Sequence, residues 1–505
     1  METNDQTDVI VIGGGGSGLA AAVAAAEAGN QVTLIEKNAL LGGTTARSIG
    51  SISASGTAHQ RKLGIVDSAE HHYEDMAKFP NQFSTRPDND ELRRILTDNV
   101  TGTIAWLCSM GVEFFGPLEE PPHRKPRMHN VLPGSRSYIF HLEKRARAIG
   151  ARITTDARAT RFITQGRRVT GVEFVMGSEA PRALTARKAV ILASGDYSAS
   201  ASMKKELISD DVAAIDPVNP ANTGDGLRMA LELGARITNG DMYGGGLRFV
   251  PPPKRSVISD IPPWNWLMHL TNMTMNALPR LILTKFLMGF LTTVLVPSQK
   301  LFAAGAILVN RSGQRFVEEK GKRMFFELSE QPERTGYIIL DDKLAEQFSK
   351  PPYYVSTAPG FAYAFIPDYR ANRPDLFHSA STLSELAARI SADALLFEQT
   401  INQCNSDRSA NPSLGPLIDR PPYYALGPAR NYVNYTDGGL SIDSQFRVLG
   451  AGNTPIEGLY AVGSAGQGGL LLRGHGNHLG WAFTSGRLAG ASTATAAAPV
   501  TSTAQ

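Results

Sequence analysis

The sequence predicts an α/β fold in which one sheet is assembled from both ends of the chain, with an α+β unit inserted between them. Three observations carry this. Residues 8–36 read as strand, glycine turn, helix and strand, and residues 458–490 repeat a strand, a glycine-rich turn and a helix. Between about 247 and 432 the composition changes, beginning with a proline-rich run at 251–263. Strands that alternate with helical stretches indicate a parallel sheet covered by helices.

The first unit is the most specific. An apolar run, Val9 to Ile12, enters Gly13-x-Gly15-x-x-Gly18; an alanine-rich helix follows, then a second strand, Gln31 to Ile35, ending on Glu36. Gly13 permits the tight turn, Gly15 lets backbone approach a pyrophosphate, and Gly18 allows close packing of helix on strand. The free N–H groups of the turn and of Gly16 and Ser17 open the helix, whose dipole favours phosphate there. Glu36 would accept hydrogen bonds from a ribose hydroxyl, with Lys37 beside it. The glycine pattern alone is weak; set between strand and helix, with the acid at this distance, it reads as a Rossmann-like dinucleotide site.

The following elements extend that site. Gly42-Gly43-Thr44-Thr45 offers a second set of backbone and hydroxyl donors for phosphate, a simple turn being the alternative. Ser48 and Gly50 lie just beyond. Ala151 to Ser194 reads as strands with a turn at Gly166, closing on Ser194-Gly195. Asn222 to Gly226, containing Asp225, leads into an amphipathic helix. Gly458 to Gly463 reads as a strand running into a turn at Ser464. Gly474 to Gly476 then opens a helix from Asn477 to Ala489, whose N-terminus suits negative charge. The expected domains are a nucleotide domain in two parts, 1–246 and 433–496, an inserted unit at 247–432, and a flexible tail at 497–505.

Composition narrows the function. The 505 residues carry a formal net charge of +3 and no long basic block, so nucleic acid is not an expected partner. Cys108 and Cys404 are the only cysteines, which suits a reducing, cytoplasmic setting and excludes a CxxCH haem site. The first strand starts by residue 8, and no secretory signal is read before it. Leu281 to Val296 is apolar but shorter than the roughly 20 residues of a membrane span. It reads as a buried cap helix, an interfacial or oligomer-contact helix, or a mouth for an apolar substrate. Trp264, Trp266, Arg280 and Lys285 resemble interfacial anchors, making 264–300 a candidate for peripheral membrane contact.

These motifs in this order resemble the flavoprotein fold of the fumarate reductase and succinate dehydrogenase superfamily, which includes 3-ketosteroid dehydrogenases. VIGGGGSG, EK, GGTT, NTGDG at 222–226, GAILVNRSGQRFVEE at 305–319 and GLYAVGS…SGRLAG at 458–490 carry the resemblance over nearly the whole chain. It implies FAD, a split FAD-binding domain and a capping domain. It also implies that Gly15, Glu36, Gly43, Thr44, Asp225 and the segment Asn477, His478, Leu479 contact the cofactor. Ser464 stands where the family often has Glu. Some members attach FAD through a His after the glycine pair; Ala46 to Gly50 has none, so non-covalent FAD is expected.

The resemblance further implies hydride transfer at flavin N5, with a second group moving the proton, so that a C=C next to a carbonyl or carboxylate is formed or reduced. Arg323 falls on the family's proton-donor arginine in Phe316-Val-Glu-Glu-Lys-Gly-Lys-Arg323. Guanidinium keeps its proton at physiological pH, so it would act by polarising a carbonyl; a surface arginine beside Lys320 and Lys322 is the alternative. Arg473, in Arg473-Gly-His-Gly-Asn477, falls on an arginine that clamps a substrate carboxylate. His475 and His478 share that loop; each could polarise a carbonyl or serve the loop's structure, and their surroundings do not suggest a metal.

Departures from the family point away from a small dicarboxylate. Asn434 to Gly439 replaces a histidine-bearing segment, and Gln299 and Phe302 replace a Glu and an Arg of the proton relay. Tyr435, Tyr353, Tyr354 and Tyr363 are candidate acids or oxyanion donors, though tyrosines in such positions are more often ordinary packed or surface aromatics. The expected function is a FAD-dependent oxidoreductase that reduces or introduces a C=C α,β to a carbonyl on a fairly hydrophobic substrate. The direction is open, and a ketosteroid-type dehydrogenase is one form of it. Without haem or iron–sulfur ligands, electrons would pass to or from an external carrier or quinone. A flavin-binding, membrane-associated protein without this chemistry is the alternative.

Overall fold

The structure is a computed structural model that describes residues 5–79, 86–252, 261–277, 288, 292, 296–319, 321, 323–358 and 362–493. Five parallel strands form the heart of the first sheet, in the spatial order Pro455–Ala461, Arg182–Leu192, Asp5–Ile12, Val32–Ile35, Arg152–Thr154. Val9 to Ile12 is buried throughout, as expected of a central parallel strand covered on both faces. The hairpin Ala157–Gln165 and Arg168–Met176 joins the sheet antiparallel through Arg182–Leu192.

The end of the chain completes this sheet. Leu459 pairs with Val190 and Ala461 with Leu192, so the FAD-type fold is split in sequence. The helix Asn477–Ser492 packs across the alanine-rich helix Gly16–Glu27. Backbones meet closely there: a Cβ on Gly490 would fall on the carbonyl oxygen of Ala21, and one on Gly486 on that of Ser17. Side chains that add no bulk let two helices approach to this distance.

A second sheet is built around the long strand Tyr423–Thr436. It pairs antiparallel with Tyr243–Phe249, Gly336–Leu340 and Phe377–Ala380, and Ile307–Asn310 extends the sheet beyond Gly336–Leu340. Phe249, Leu301, Phe302, Leu308, Met324, Ile338 and Leu426 belong to its buried core. The chain leaves the first unit along Tyr243–Phe249 and returns along Tyr423–Thr436, with Tyr243 opposite Thr436 and Leu247 opposite Asn431. We propose the limits of the inserted unit, 247 and 432, within this strand pair.

A small sheet of Ser51–Ser53, Met128–Val131 and Phe114–Leu118 stands beside the first. The apolar stretch 281–296 lies outside the described residues except for Met288 and Thr292, both buried, and the partly exposed Val296. Trp264 and Trp266 are exposed and stack on each other, with ring centroids 6.2 Å apart. The 497–505 tail also lies outside the described residues. Among the described residues no helix is long and apolar enough to cross a membrane.

Candidate active site

A cavity of about 760 Å³ runs along the C-terminal edge of the first sheet and reaches the strand pair that leads into the second. This is where open parallel sheets place ligands, outside the carboxyl ends of their strands. Its walls bring together Gly13, Gly15, Gly16, Ser17, Glu36, Lys37, Gly43, Thr44, Thr45, Ser48 and Gly50 from the N-terminal segment. Ser194, Gly195 and Asp225 join from mid-chain, and Ser464, His478 and Leu479 from the C-terminal part. Gly18, Gly42, Gly463 and Asn477 do not line it; they shape the turns that do.

The turn geometry follows from sterics. Gly13 sits at φ +109°, and a Cβ on Gly18 would fall on the Gly13 carbonyl oxygen. Gly15 differs: a Cβ there would meet nothing within 4 Å, so its backbone is bare to the cavity. The Gly42 N–H donates to the Gly14 carbonyl at 2.9 Å, joining the two glycine segments. Thr45 Oγ1 accepts from the Gly16 N–H at 3.2 Å.

Glu36 is buried, and its carboxylate is fixed in place. Oε2 accepts from the Gly14 N–H at 2.6 Å, and Oε1 accepts from the Asn38 N–H at 2.9 Å and side-chain amide at 2.5 Å. Lys37 pairs with Asp225 at 2.9 Å, and Thr223 Oγ1 donates to the same carboxylate at 2.8 Å. Burial works against ionised Asp225, yet Lys37 and Thr223 hold its carboxyl below its ordinary range.

Thr44 Oγ1 accepts from the amides of Asn219 and Asn222, each at 2.9 Å. Asn222 also donates to the buried Asp196 at 2.8 Å, whose carboxyl burial pushes upward. Sequence reading found Asn222 as part of a turn but not the roles of Asn219 and Asp196. The N-P-A-N spacing that joins Asn219 to Asn222 was the one available signal.

These features fit a dinucleotide. The N-termini of helices Gly16–Glu27 and Asn477–Ser492 border one cavity, bare backbone at Gly15 faces it, and Ser194 Oγ is buried there without a partner among the described residues. Helix N-termini and open backbone N–H groups are what phosphate requires.

Beyond the cradle the chemistry changes: Tyr435 and His478 line the cavity, and Arg473 and Asp437 adjoin them without lining it. Arg473 lies 2.8 Å from Asp437, through Nη2 and Oδ2. The contact is close but not aligned as a hydrogen bond, and among the described residues Arg473 Nε and Nη2 have no acceptor along their N–H directions. Arg473 Nη1 donates to Tyr435 Oη at 3.4 Å. Tyr435 lies against His478, with centroids 4.4 Å apart and the rings tilted by 48°, in space that Gly244 leaves open. Burial raises the Tyr435 phenol above its ordinary value, so it remains an O–H donor. Asp437 is fully buried; desolvation opposes its charge, but His478 and Arg473 hold its carboxyl low.

Arg248 lines the cavity, and no acid pairs with it among the described residues. Burial lowers the affinity of its guanidinium for the proton. Asp437 and Arg248 escaped sequence reading because their importance comes from strands Tyr423–Thr436 and Tyr243–Phe249 lying side by side. His475 lines the cavity as well, bound to Glu120, a partner the sequence did not reveal.

Arg323 is placed elsewhere. It caps the helix Met324–Ser329, its side chain is 61% exposed, and it lies 3.5 Å from Glu327 and 3.9 Å from Asp211. It is not among the residues lining the cavity. Nor are Tyr353, Tyr354 and Tyr363, while Phe302 is packed in the core of the second sheet. Among the described residues no cluster of His, Cys, Asp and Glu is arranged to hold a metal ion.

A parallel sheet with a dinucleotide cradle, closed by a segment from the end of the chain and overlain by an inserted sheet, defines a flavoprotein of the split-domain type. The chain belongs to the FAD-binding-domain family, whose model matches residues 8–252 and 260–478. It is similar to an NADH:acrylate oxidoreductase of Vibrio harveyi, 29% identical over 428 residues, covering 80% of this chain and 36% of that protein. It is also similar to a 4-oxocyclohexanecarboxylate 2-dehydrogenase of Sinomonas cyclohexanicum, 25% identical, covering 96% of this chain and 92% of that one. The chain thus spans about a third of the first relative and nearly all of the second. Its fold is that of a flavocytochrome c3 fumarate reductase solved in an open conformation: TM-score 0.73, 23% identity, 97% of this chain and 78% of the other. The family resemblance read from the motifs is borne out.

Proposed function

We propose that the chain is a FAD-dependent oxidoreductase that reduces or introduces a C=C bond α,β to a carbonyl or carboxylate on a fairly hydrophobic substrate. The observation that carries this is a pair of buried arginine donors, Arg248 lining the cavity and Arg473 adjoining its lining residue Tyr435. Among the described residues Arg248 Nε and Arg473 Nε have no hydrogen-bond acceptor, while Arg473 Nη2 is ion-paired with Asp437, and an oxygen of a substrate carbonyl or carboxylate reaching the free donors would satisfy them. Donors fixed where negative charge develops lower the barrier to enolate-like character. The similarity to an acrylate oxidoreductase and to a dehydrogenase of a cyclic oxo-acid supports both the reaction type and a substrate with an oxo or carboxylate group.

The Gly15 turn, Glu36, Thr44, Thr45, Ser194 and the start of helix Asn477–Ser492 would hold the FAD. When bound, it supplies hydride acceptance and donation at its N5 position. We read its attachment as non-covalent, because Ala46 to Gly50, where some members of the family carry the linking His, has none. Acid precipitation should therefore release all flavin into the supernatant. In the substrate region Arg473 and Arg248 orient the oxygen, and Tyr435 holds a proton beside Arg473. Arg323, as placed, touches none of these groups; a role in proton supply would need its segment to move onto the cavity.

The electron partner is a carrier or quinone outside these residues, since Cys108 and Cys404 are free and far apart in sequence. With both thiols reduced, a cytoplasmic setting fits. Anaerobic stopped-flow spectroscopy tests the reading over enones, unsaturated acids and saturated cyclic ketones. A reductase shows return of the oxidised flavin band on adding an enone or enoate; a dehydrogenase shows bleaching with the saturated ketone. If no such compound moves the flavin band, the reading fails.

A further inference from the structure

Arg473 and His475 share one loop, but His475 is fastened from a different part of the chain. Glu120 Oε1 accepts both the His475 backbone N–H, at 2.8 Å, and the ring at Nδ1. Ser53 Oγ donates to the His475 carbonyl at 2.7 Å. Gly474 and Gly476, at φ +86° and +85°, flank the histidine and let the loop make this detour.

Glu120 itself is on a fixed support. It sits between the paired strands Phe114–Leu118 and Met128–Val131. The same connection carries Arg127, fully buried between Asp67 at 2.6 Å and Asp75 at 2.8 Å. Arg127 Nη1 also meets His123 Nδ1 at 3.0 Å. Buried charges held this way are costly to displace once paired.

The chemistry of the pair is set by burial. Glu120 is only 4% exposed, against 43% for the His475 side chain, and its Oε2 has no hydrogen-bond partner among the described residues. A carboxylate in such a place needs a counter-ion, and the His475 imidazolium provides it. Because Nδ1 is committed to Glu120, Nε2 is the ring donor left for the cavity that His475 lines.

We propose that Glu120 is a positioning residue that keeps His475 charged and presents its Nε2–H to the oxygen of the substrate's activating carbonyl or carboxylate. This rests on the site reading given above and adds a third donor to Arg473 and Arg248. The electrostatics agree: the hydrogen bond to Glu120 raises the proton affinity of His475 above the ordinary histidine value, while burial and Arg248, on strand Tyr243–Phe249, oppose it. For a group raised on folding, the pair's contribution is complete below about pH 6.5, the unfolded value, and is lost as pH rises through the folded one.

The test uses FAD-loaded protein carrying ¹³C-labelled histidine, with the His475 ring signal identified by its absence in H475Q. In the wild type, His475 should titrate above about pH 6.5. In E120Q the titration should fall by about one pH unit or more, with flavin content retained, and E120D should restore part of it. With an accepted enone or enoate, kcat/KM should decline as pH rises through the His475 titration. That limb should move to lower pH in E120Q and vanish in H475Q. An unmoved His475 titration in E120Q would overturn the proposal, as would an alkaline limb that persists in H475Q. Should E120Q fail to fold, the H475Q pH profile decides on its own. Failure of every enone and enoate to turn over counts against the site reading, and the ring titration still decides the Glu120–His475 pairing.

Discussion

Arg473 and Arg323 both fall on arginines of the fumarate-reductase pattern, yet the structure gives them opposite surroundings. Arg473 is largely buried against Asp437 and Tyr435, on a loop fixed by two glycines, Ser53 and Glu120. Arg323 is exposed at the start of a short helix, next to two surface acids. Water screens the second arginine and competes for its hydrogen bonds, whereas the first is shielded from water, paired with Asp437, and keeps a buried Nε donor without an acceptor among the described residues. A shared motif position thus gives two guanidiniums quite different chemical capacity.

The sharpest way to break this comparison is Arg473→Ala. It should lower kcat by about 10²–10³, the usual cost of removing a donor aimed at developing charge. Flavin content should stay near wild type, because Asn477 binds the Arg473 backbone carbonyl and not the side chain. Flavin absorbance together with steady-state turnover checks both halves, and a turnover unchanged by the substitution would remove Arg473 from the site.

Tyr435→Phe should cost about 10² in turnover if its hydroxyl handles a proton, and only a few-fold if it merely packs on His478. A solvent isotope effect that disappears with the hydroxyl would favour the former.

Gly490→Val probes the scaffold. The added side chain would strike the backbone of the neighbouring helix at Ala21, so we expect a loss of about 1–3 kcal/mol in stability, read as a lower Tm. Turnover per bound FAD should change little, separating a scaffold effect from a site effect.

The smallest expected effect is Arg323→Ala. With its segment as placed, turnover should change by less than about two-fold, as for an exposed side chain. A loss of 10² or more would show instead that this segment closes onto the cavity during turnover.

Legibility in the sequence followed the range of the interactions. The Gly13–Gly18 turn, the strand on either side and the helix Asn477–Ser492 were readable, because each depends on neighbours within a few residues. So was the FAD-type fold, since its motifs recur in fixed order. Asp437, Arg248 and Glu120 were not. Arg248 lies on Tyr243–Phe249 and Asp437 just past the end of Tyr423–Thr436, strands brought together by the second sheet, and Glu120 reaches His475 across 355 positions. Arg323 shows the converse: its motif was readable, but its exposure depends on how helix Met324–Ser329 is laid down.

By itself, then, the sequence determined the dinucleotide cradle, the split α/β frame and the family, because backbone sterics and hydrophobic periodicity are local properties. Only the tertiary structure decided which charged side chains share the cavity and which face water. Burial and pairing exist only once distant segments pack, and those set whether an arginine or histidine can act on a substrate.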